Sequence, residues 1–410
     1  MREVGTAWIR DDVRSQRSCR TIFGPVLGAL ILGGAVQAGA PLREPRQAQP
    51  AVHAWPMFRG QPQLTGVARG SLPDKLSVQW TFEAADAFES SACIVEDTVY
   101  VGCDDGNFYA LDLSNGALRW KFEVGAAIRS SPSCVDQRVA FGDDEGTLHV
   151  LDGATGRPIW TFDTGDQIIS SPNQHAGRIV VGSYDGMVYC LDARRGNLIW
   201  KYETQGRVHG TVAVTEGFVI VAGCDQYLHV LNWEDGKPIR RIPMGSVSGS
   251  SAAILGSRVF LGTYGDRVLS LDWREGTTLW SFADPDRQFP FLSSAALTPR
   301  SVIIGGRDKR IRALDLRTGK PLWEFPTQAR VDSSAVIVGD RAYIGSSDGN
   351  VYALQVDTGK QVWRFETGGA ITASPAVSAG RLVIGTLDGR LYCFGSGATA
   401  DPKTKTQVNE

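Results

Sequence analysis

Between residues 76 and 396 the chain repeats one order of polar and apolar positions about every 40 residues. Each period opens on a W-x-F stretch, passes a Gly/Ser-rich polar segment into a small-residue strand, turns, and then runs through consecutive apolar residues. Val99 to Val101, Ile179 to Val181, Val259 to Leu261 and Leu382 to Ile384 are such runs. Short, continuous and rich in β-branched residues, they predict strands buried on both faces. Asp105-Gly106, Asp185-Gly186, Asp348-Gly349 and Asp388-Gly389 supply the turn residues that join neighbouring antiparallel strands. A further strand ending L-D and a turn containing T-G complete the period.

Two markers keep the beat. Trp80, Trp120, Trp160, Trp200, Trp280, Trp323 and Trp363 recur with Arg240 at the skipped position, and Gly116, Gly156, Gly196, Gly236, Gly276, Gly319 and Gly359 follow in register. Four short strands in about 40 residues describe a propeller blade and not a helical solenoid. Small-residue inner strands begin near Ser91, Ser131, Ser171, Thr211, Ser251, Ser294, Ser334 and Ser374, which makes eight. The predicted fold is an all-β, eight-bladed propeller of four-stranded antiparallel blades. Its last unit lacks an outer strand, so the strand around Trp80 is expected to complete it and close the ring without an open edge. The seven tryptophans are expected to pack between blades.

The ends differ from the repeat. Five arginines precede an uncharged stretch from Ile22 to Val36 and then Ala38-Gly39-Ala40, so residues 1–40 predict a signal peptide, with an uncleaved membrane anchor as the alternative. Residues 41–75 hold six prolines and read as an extended lead-in, and residues 397–410 read as a disordered tail.

Composition narrows the function. The 410 residues carry 42 Lys plus Arg against 44 Asp plus Glu, a net charge of -2, which supplies no basic field for nucleic acid. No metal-binding histidine pair, clustered acidic motif, P-loop or G-x-S-x-G occurs, and no catalytic residue, metal or cofactor is assigned. Cys93, Cys103, Cys134, Cys190, Cys224 and Cys393 are isolated and read as small buried hydrophobes, while His149 and His229 stand where other units place tyrosine.

Two groups remain as candidates. The position before each inner strand holds Glu89, Arg129, Ile169, His209, Gly249, Leu292, Asp332 and Thr372, which should ring one mouth of the channel. Of these, Glu89, Arg129, His209 and Asp332 could bind a small polar or anionic ligand. The second group lies where the repeat departs from itself. Unit four has Gln226 and Arg240, unit five has Gly265-Asp266, and unit six is three residues longer, at DPDRQFPF. There Phe289 and Phe291, near Arg307, Lys309 and Arg310, form a candidate protein-docking patch, since aromatic and arginine side chains dominate interface hot spots.

The units WKFEVGAAIRSSPSCVDQRVAFGDDEGTLHVLDGATGRPIW and WRFETGGAITASPAVSAGRLVIGTLDGRLYCF, with the lead-in WPMFRGQPQLTGVA, resemble the PQQ-type β-propeller repeat family. The blade count is similar to that of its outer-membrane assembly factor (BamB) branch. That resemblance implies a non-enzymatic scaffold contacting envelope proteins in the periplasm; with the signal segment, the chain is expected to be exported, and the propeller to be monomeric. The branch's lipid-anchoring cysteine has no counterpart here. The quinoprotein dehydrogenase branch would imply pyrroloquinoline quinone (PQQ) and a metal, but its adjacent cysteines and long insertions are missing. A third alternative, a carbohydrate- or cell-surface-binding module, would use Trp233 and Trp273 as exposed stacking platforms.

Overall fold

The computed structural model describes residues 54–397. The signal segment at 1–40, the start of the lead-in and the tail beyond 397 lie outside the described residues. Thirty-two strands form eight antiparallel sheets of four, without a helix among the described residues. Blade 1 comprises Cys93–Val95, Thr98–Gly102, Asn107–Asp112 and Leu118–Glu123 from the channel outward, and blades 2 to 7 repeat that order. Blade 8 takes its outer strand from the other end of the chain, where Ser77–Glu83 pairs with Arg390–Gly395 and Trp80 lies opposite Cys393.

The second strand of blade 1 is buried along its whole length, whereas the outer strand alternates between exposed and half-buried positions. Stacked neighbours cover both faces of the middle strands, so continuous apolar runs are required there. Each of the seven tryptophans sits on an outer strand and reaches into the next blade. Trp80, Trp120, Trp200 and Trp323, for example, donate their indole N–H to the carbonyls of Leu113, Gly153, Trp233 and Val356 at 2.7 to 3.0 Å. The recurring glycine lies under the ring with positive φ, and a Cβ at Gly236 would come within 2.6 Å of the Trp200 indole. Tryptophan and glycine therefore share one register because each is shaped to the other.

Around the channel, the backbone N–H of Ser91 donates to Ser131 Oγ, and the same bond passes through Ser171, Thr211, Ser251, Ser294, Ser334 and Ser374 back to Ser91. The eight distances are 2.9 to 3.2 Å. The small-residue beat in the sequence is this closed circle. It satisfies inner-strand donors that no further strand can pair.

The lead-in has no strand of its own yet is packed. Trp55 exchanges backbone hydrogen bonds with Ile94, and the carbonyls of Pro56, Pro62, Gln63, Thr65 and Gly66 accept from the N–H groups of Cys134, Val214, Ile254, Leu297 and Ile337. Asn173 Nδ2 donates to Pro62 at 2.9 Å, so residues 55–68 meet seven inner strands in turn. Trp55, Met57 and Leu64 are buried beneath them. Arg59, 1% exposed, donates to the carbonyls of Ala335 (2.5 Å) and Ala295 (2.9 Å), and burial lowers its pKa to about 9. The segment caps the channel at the ends of the inner strands remote from Glu89.

Candidate functional site: the open channel mouth

At the opposite end, three residues of each blade face the opening. In blade 2 the N–H of Asp144 donates to the carbonyl of Ala127, with Arg129 between them, and every blade repeats this bond. The ring thus contains the expected position (Glu89, Arg129, His209, Asp332), a turn position (Asp104, Asp144, Tyr184, Cys224, Tyr264, Arg307) and an outer position that includes Arg207, Pro290 and Arg330. The turn and outer positions are missed by periodicity, because the repeat conserves their backbone bond and leaves their side chains free to vary.

Blades 1 and 2 form an acidic sector. Arg129 reaches Asp144 at 2.7 Å, Asp104 at 3.2 Å and Glu89 at 3.8 Å. Burial, then the charges of Asp104 and Asp144, hold the Glu89 carboxyl above its ordinary value against the pull of Arg129 and Arg330. Burial likewise raises Asp104 and Asp144. Asp104 Oδ1 and Asp144 Oδ1 here, and Ser347 Oγ and Thr372 Oγ1 on blades 7 and 8, are buried without a protein partner, leaving them to water or a polar ligand.

Across the opening, His209 Nδ1 lies 2.5 Å from the Tyr184 hydroxyl, and burial keeps the imidazole pKa low, so it is neutral at pH 7. Burial raises Tyr184 to about 12, and Arg207 packs over its ring at 5.1 Å. Arg307 grips Asp332 with two bonds of 2.9 and 3.0 Å, and Arg330 adds a third contact at 3.2 Å.

Arg307 therefore belongs to the mouth, and it carries the second candidate group with it. Phe289, 47% exposed, stands on the inserted loop beside Pro290, whose carbonyl accepts from Arg307. Phe291 does not join it. It is 2% exposed and packs with Phe282 against the guanidinium of Arg312, because the position after Pro290 points between blades. Arg310 is tied to Glu324 at 2.6 Å, and Lys309 is exposed at a turn with φ 65°. Gln226 and Asp266 adopt the same left-handed conformation in blades 4 and 5, where other blades place glycine. Strained positions thus gather on blades 4 to 6 of this face.

Other expectations are settled by burial. Trp233 and Trp273 are 7% and 3% exposed and offer no stacking platform, since each closes a gap between blades. The six described cysteines are free, and burial pushes Cys103, Cys134, Cys190 and Cys393 up to about 12. His149 and His229 bond Asp143 (2.7 Å) and Asp225 (3.0 Å), as Tyr109 bonds Asp105 (2.6 Å).

PQQ does not fit this mouth. A planar tricarboxylate would meet Glu89, Asp104 and Asp144, carboxyls that burial already holds above their ordinary values, while Arg129 and Arg307 are committed to protein carboxylates. Among the described residues no group of three His, Cys, Asp or Glu could hold a metal beside it.

Comparison with known proteins adds a family. The chain matches the family described as outer membrane protein assembly factor BamB over residues 73–134, 120–211, 185–335 and 307–400. Among solved structures, BamB from Moraxella catarrhalis is 19% identical with a TM-score of 0.67, covering 78% of this chain and 100% of that one. Quinohemoprotein alcohol dehydrogenase from Comamonas testosteroni is 14% identical with a TM-score of 0.75, over 88% of this chain and 84% of that one. The computationally designed protein Ika8 is 16% identical with a TM-score of 0.69, over 78% and 100%. At such identities the likeness is one of fold. No curated protein matches the sequence.

Proposed function

Because the chain belongs to the outer membrane protein assembly factor BamB family of propellers, we propose that it is an exported, non-catalytic, monomeric scaffold that binds envelope proteins. The observation that carries this reading is the asymmetry of the ring. One end is capped by residues 55–68, and the other is open, with Phe289, Tyr264 and the strained Gln226, Asp266 and Lys309 on consecutive blades. Local strain is retained where exposed side chains are held for a purpose, and a rigid ring fixes them relative to one another. Mutually paired charges at the mouth favour orientation of a partner over chemistry.

Capture from a native envelope fraction tests this. The tagged wild type should retain a defined partner, and the combined variant Phe289→Ala, Lys309→Glu, Arg330→Glu should lose it at unchanged melting temperature. Retention of the same partner by the variant would remove the mouth face from the interface. Dye-linked alcohol oxidation after adding PQQ and calcium to purified protein would overturn the non-catalytic reading.

A further inference from the structure

In blades 3, 5 and 7 the arginine that opens the second strand reaches out of its own blade. Arg178 donates to the carbonyl of Trp233 at 2.7 Å and pairs with Glu234, Arg258 donates to the carbonyl of Leu316 at 3.2 Å, and Arg341 pairs with Asp74 at 2.8 Å. Arg138, at the same position in blade 2, makes no such contact. Its Nη1 turns back to the carbonyl of Asp136 at 3.2 Å, and its Nε is buried without a partner. The acceptor corresponding to Trp233 is the carbonyl of Ala193, which takes the Trp160 indole N–H at 3.3 Å but no arginine. The residue after it, where blade 4 has Glu234, is Arg194, exposed and with no hydrogen-bond or ion-pair partner for its guanidinium among the described residues. A cavity of about 240 Å³ lies here, and Arg138, Gln174, His175, Arg178, Ala193 and Arg194 all contribute to its lining. Gln174, 4% exposed, fixes the inner wall by donating to the carbonyls of Ser133 and Arg138 at 2.9 and 3.1 Å. Asp136, the one carboxylate in the lining, is exposed and pairs with neither free arginine.

We infer that this cavity binds a small organic carboxylate, one carboxyl group of which bridges Arg138 and Arg194. Its charge follows from the molecule's own pattern. Arg178 and Arg341 each receive a carboxylate from outside their blade, whereas Arg138 meets an open space and a second cation where Glu234 would stand. A carboxylate matches the fork of a guanidinium with two parallel hydrogen bonds, and a partly buried cation without a counter-ion favours taking one up. The space is smaller than the roughly 300–1,000 Å³ of a drug-sized site, so it suits an acid of a few carbons. The cavity opens between blades 2 and 3 at the capped end of the ring, where Cys134 and Asn173 bond the lead-in, and does not depend on the role of the mouth.

Isothermal titration with succinate at physiological ionic strength probes it. Saturable one-to-one binding is expected, at least tenfold tighter than that of the uncharged succinamide and tighter than that of inorganic phosphate. Arg138→Gln should weaken succinate binding at least tenfold. Arg194→Glu should supply the carboxylate from within, as Glu234 does for Arg178, abolishing binding without lowering the melting temperature. Arg194→Ala, a change at an exposed side chain, should weaken binding several-fold and decides the matter should Arg138→Gln fold poorly. Absence of saturable binding, equal binding of succinamide or phosphate, or undiminished binding to any of these folded variants overturns the proposal.

Discussion

Arg312 offers the sharpest test of how the blades are held. Its side chain is 0% exposed, yet it carries a full charge among three carboxylates. Nη1 and Nη2 both bond Asp308, Nη2 bonds Asp284 at 2.6 Å, Nε bonds Glu324 at 2.9 Å, and the rings of Phe291 and Phe282 lie 5.7 and 5.9 Å away. Removing one partner of such a pair strands a buried charge, here Asp308, so Arg312→Ala should cost about 3–5 kcal/mol. Arg312→Tyr should cost less, about 1–3 kcal/mol, because tyrosine in the same strand position bonds the corresponding aspartate elsewhere, at 2.6 Å from Tyr189 to Asp185 and 2.9 Å from Tyr352 to Asp348. Urea unfolding followed by near-ultraviolet circular dichroism measures both. The double variant Arg312→Ala, Asp308→Ala should be more stable than Arg312→Ala alone, since the stranded charge has gone. Acid supplies a second reading. Burial alone would raise Asp284, but the Asp286 N–H and Arg312 outweigh it and hold the carboxyl below its ordinary value. Its stabilisation is therefore complete above that ordinary value and is lost as pH falls through the lowered one, so the gap between wild type and Arg312→Ala should narrow below about pH 4. A cost under about 1 kcal/mol for Arg312→Ala, or a double variant as unstable as the two single losses combined, would refute the stranded-charge argument.

Two further outcomes are expected. Trp200→Ala should lose about 3–5 kcal/mol by opening a cavity and freeing the Trp233 carbonyl, whereas Arg240→Ala at the equivalent position should lose less than about 1 kcal/mol, as thermal unfolding of the pair would register. At the mouth, Glu89, Asp104 and Asp144 are raised, so their penalty is present above their folded pKa values and relieved on acidification. Arg129→Gln should raise them further, and its melting temperature should recover towards wild type between pH 7 and mildly acid pH; a difference independent of pH would sink that assignment.

Much of this molecule is legible in its sequence, because the contacts that build a ring recur at a fixed separation. Trp200 meets Gly236 in the next blade, and Ser91 bonds Ser131, so the beat of about 40 residues states the neighbours, the blade number and the closing strand around Trp80 directly. The substitution at Arg240 is equally visible. The channel ends obey no such spacing. Arg307 and Asp332 meet across adjacent blades through side chains that the repeat leaves free, and the lead-in caps seven inner strands through backbone carbonyls, which leave no side-chain pattern to read. Phe289 and Phe291 are alike in sequence and opposite in burial, because the backbone around Pro290 sends one to solvent and the other between blades. The sequence alone determined the repeating interfaces, since each blade must bury the same faces against the same kind of neighbour. Only the closed tertiary structure decided the mouth and the cap, because their groups converge from separate blades and acquire their burial and charge environment when the ring is complete.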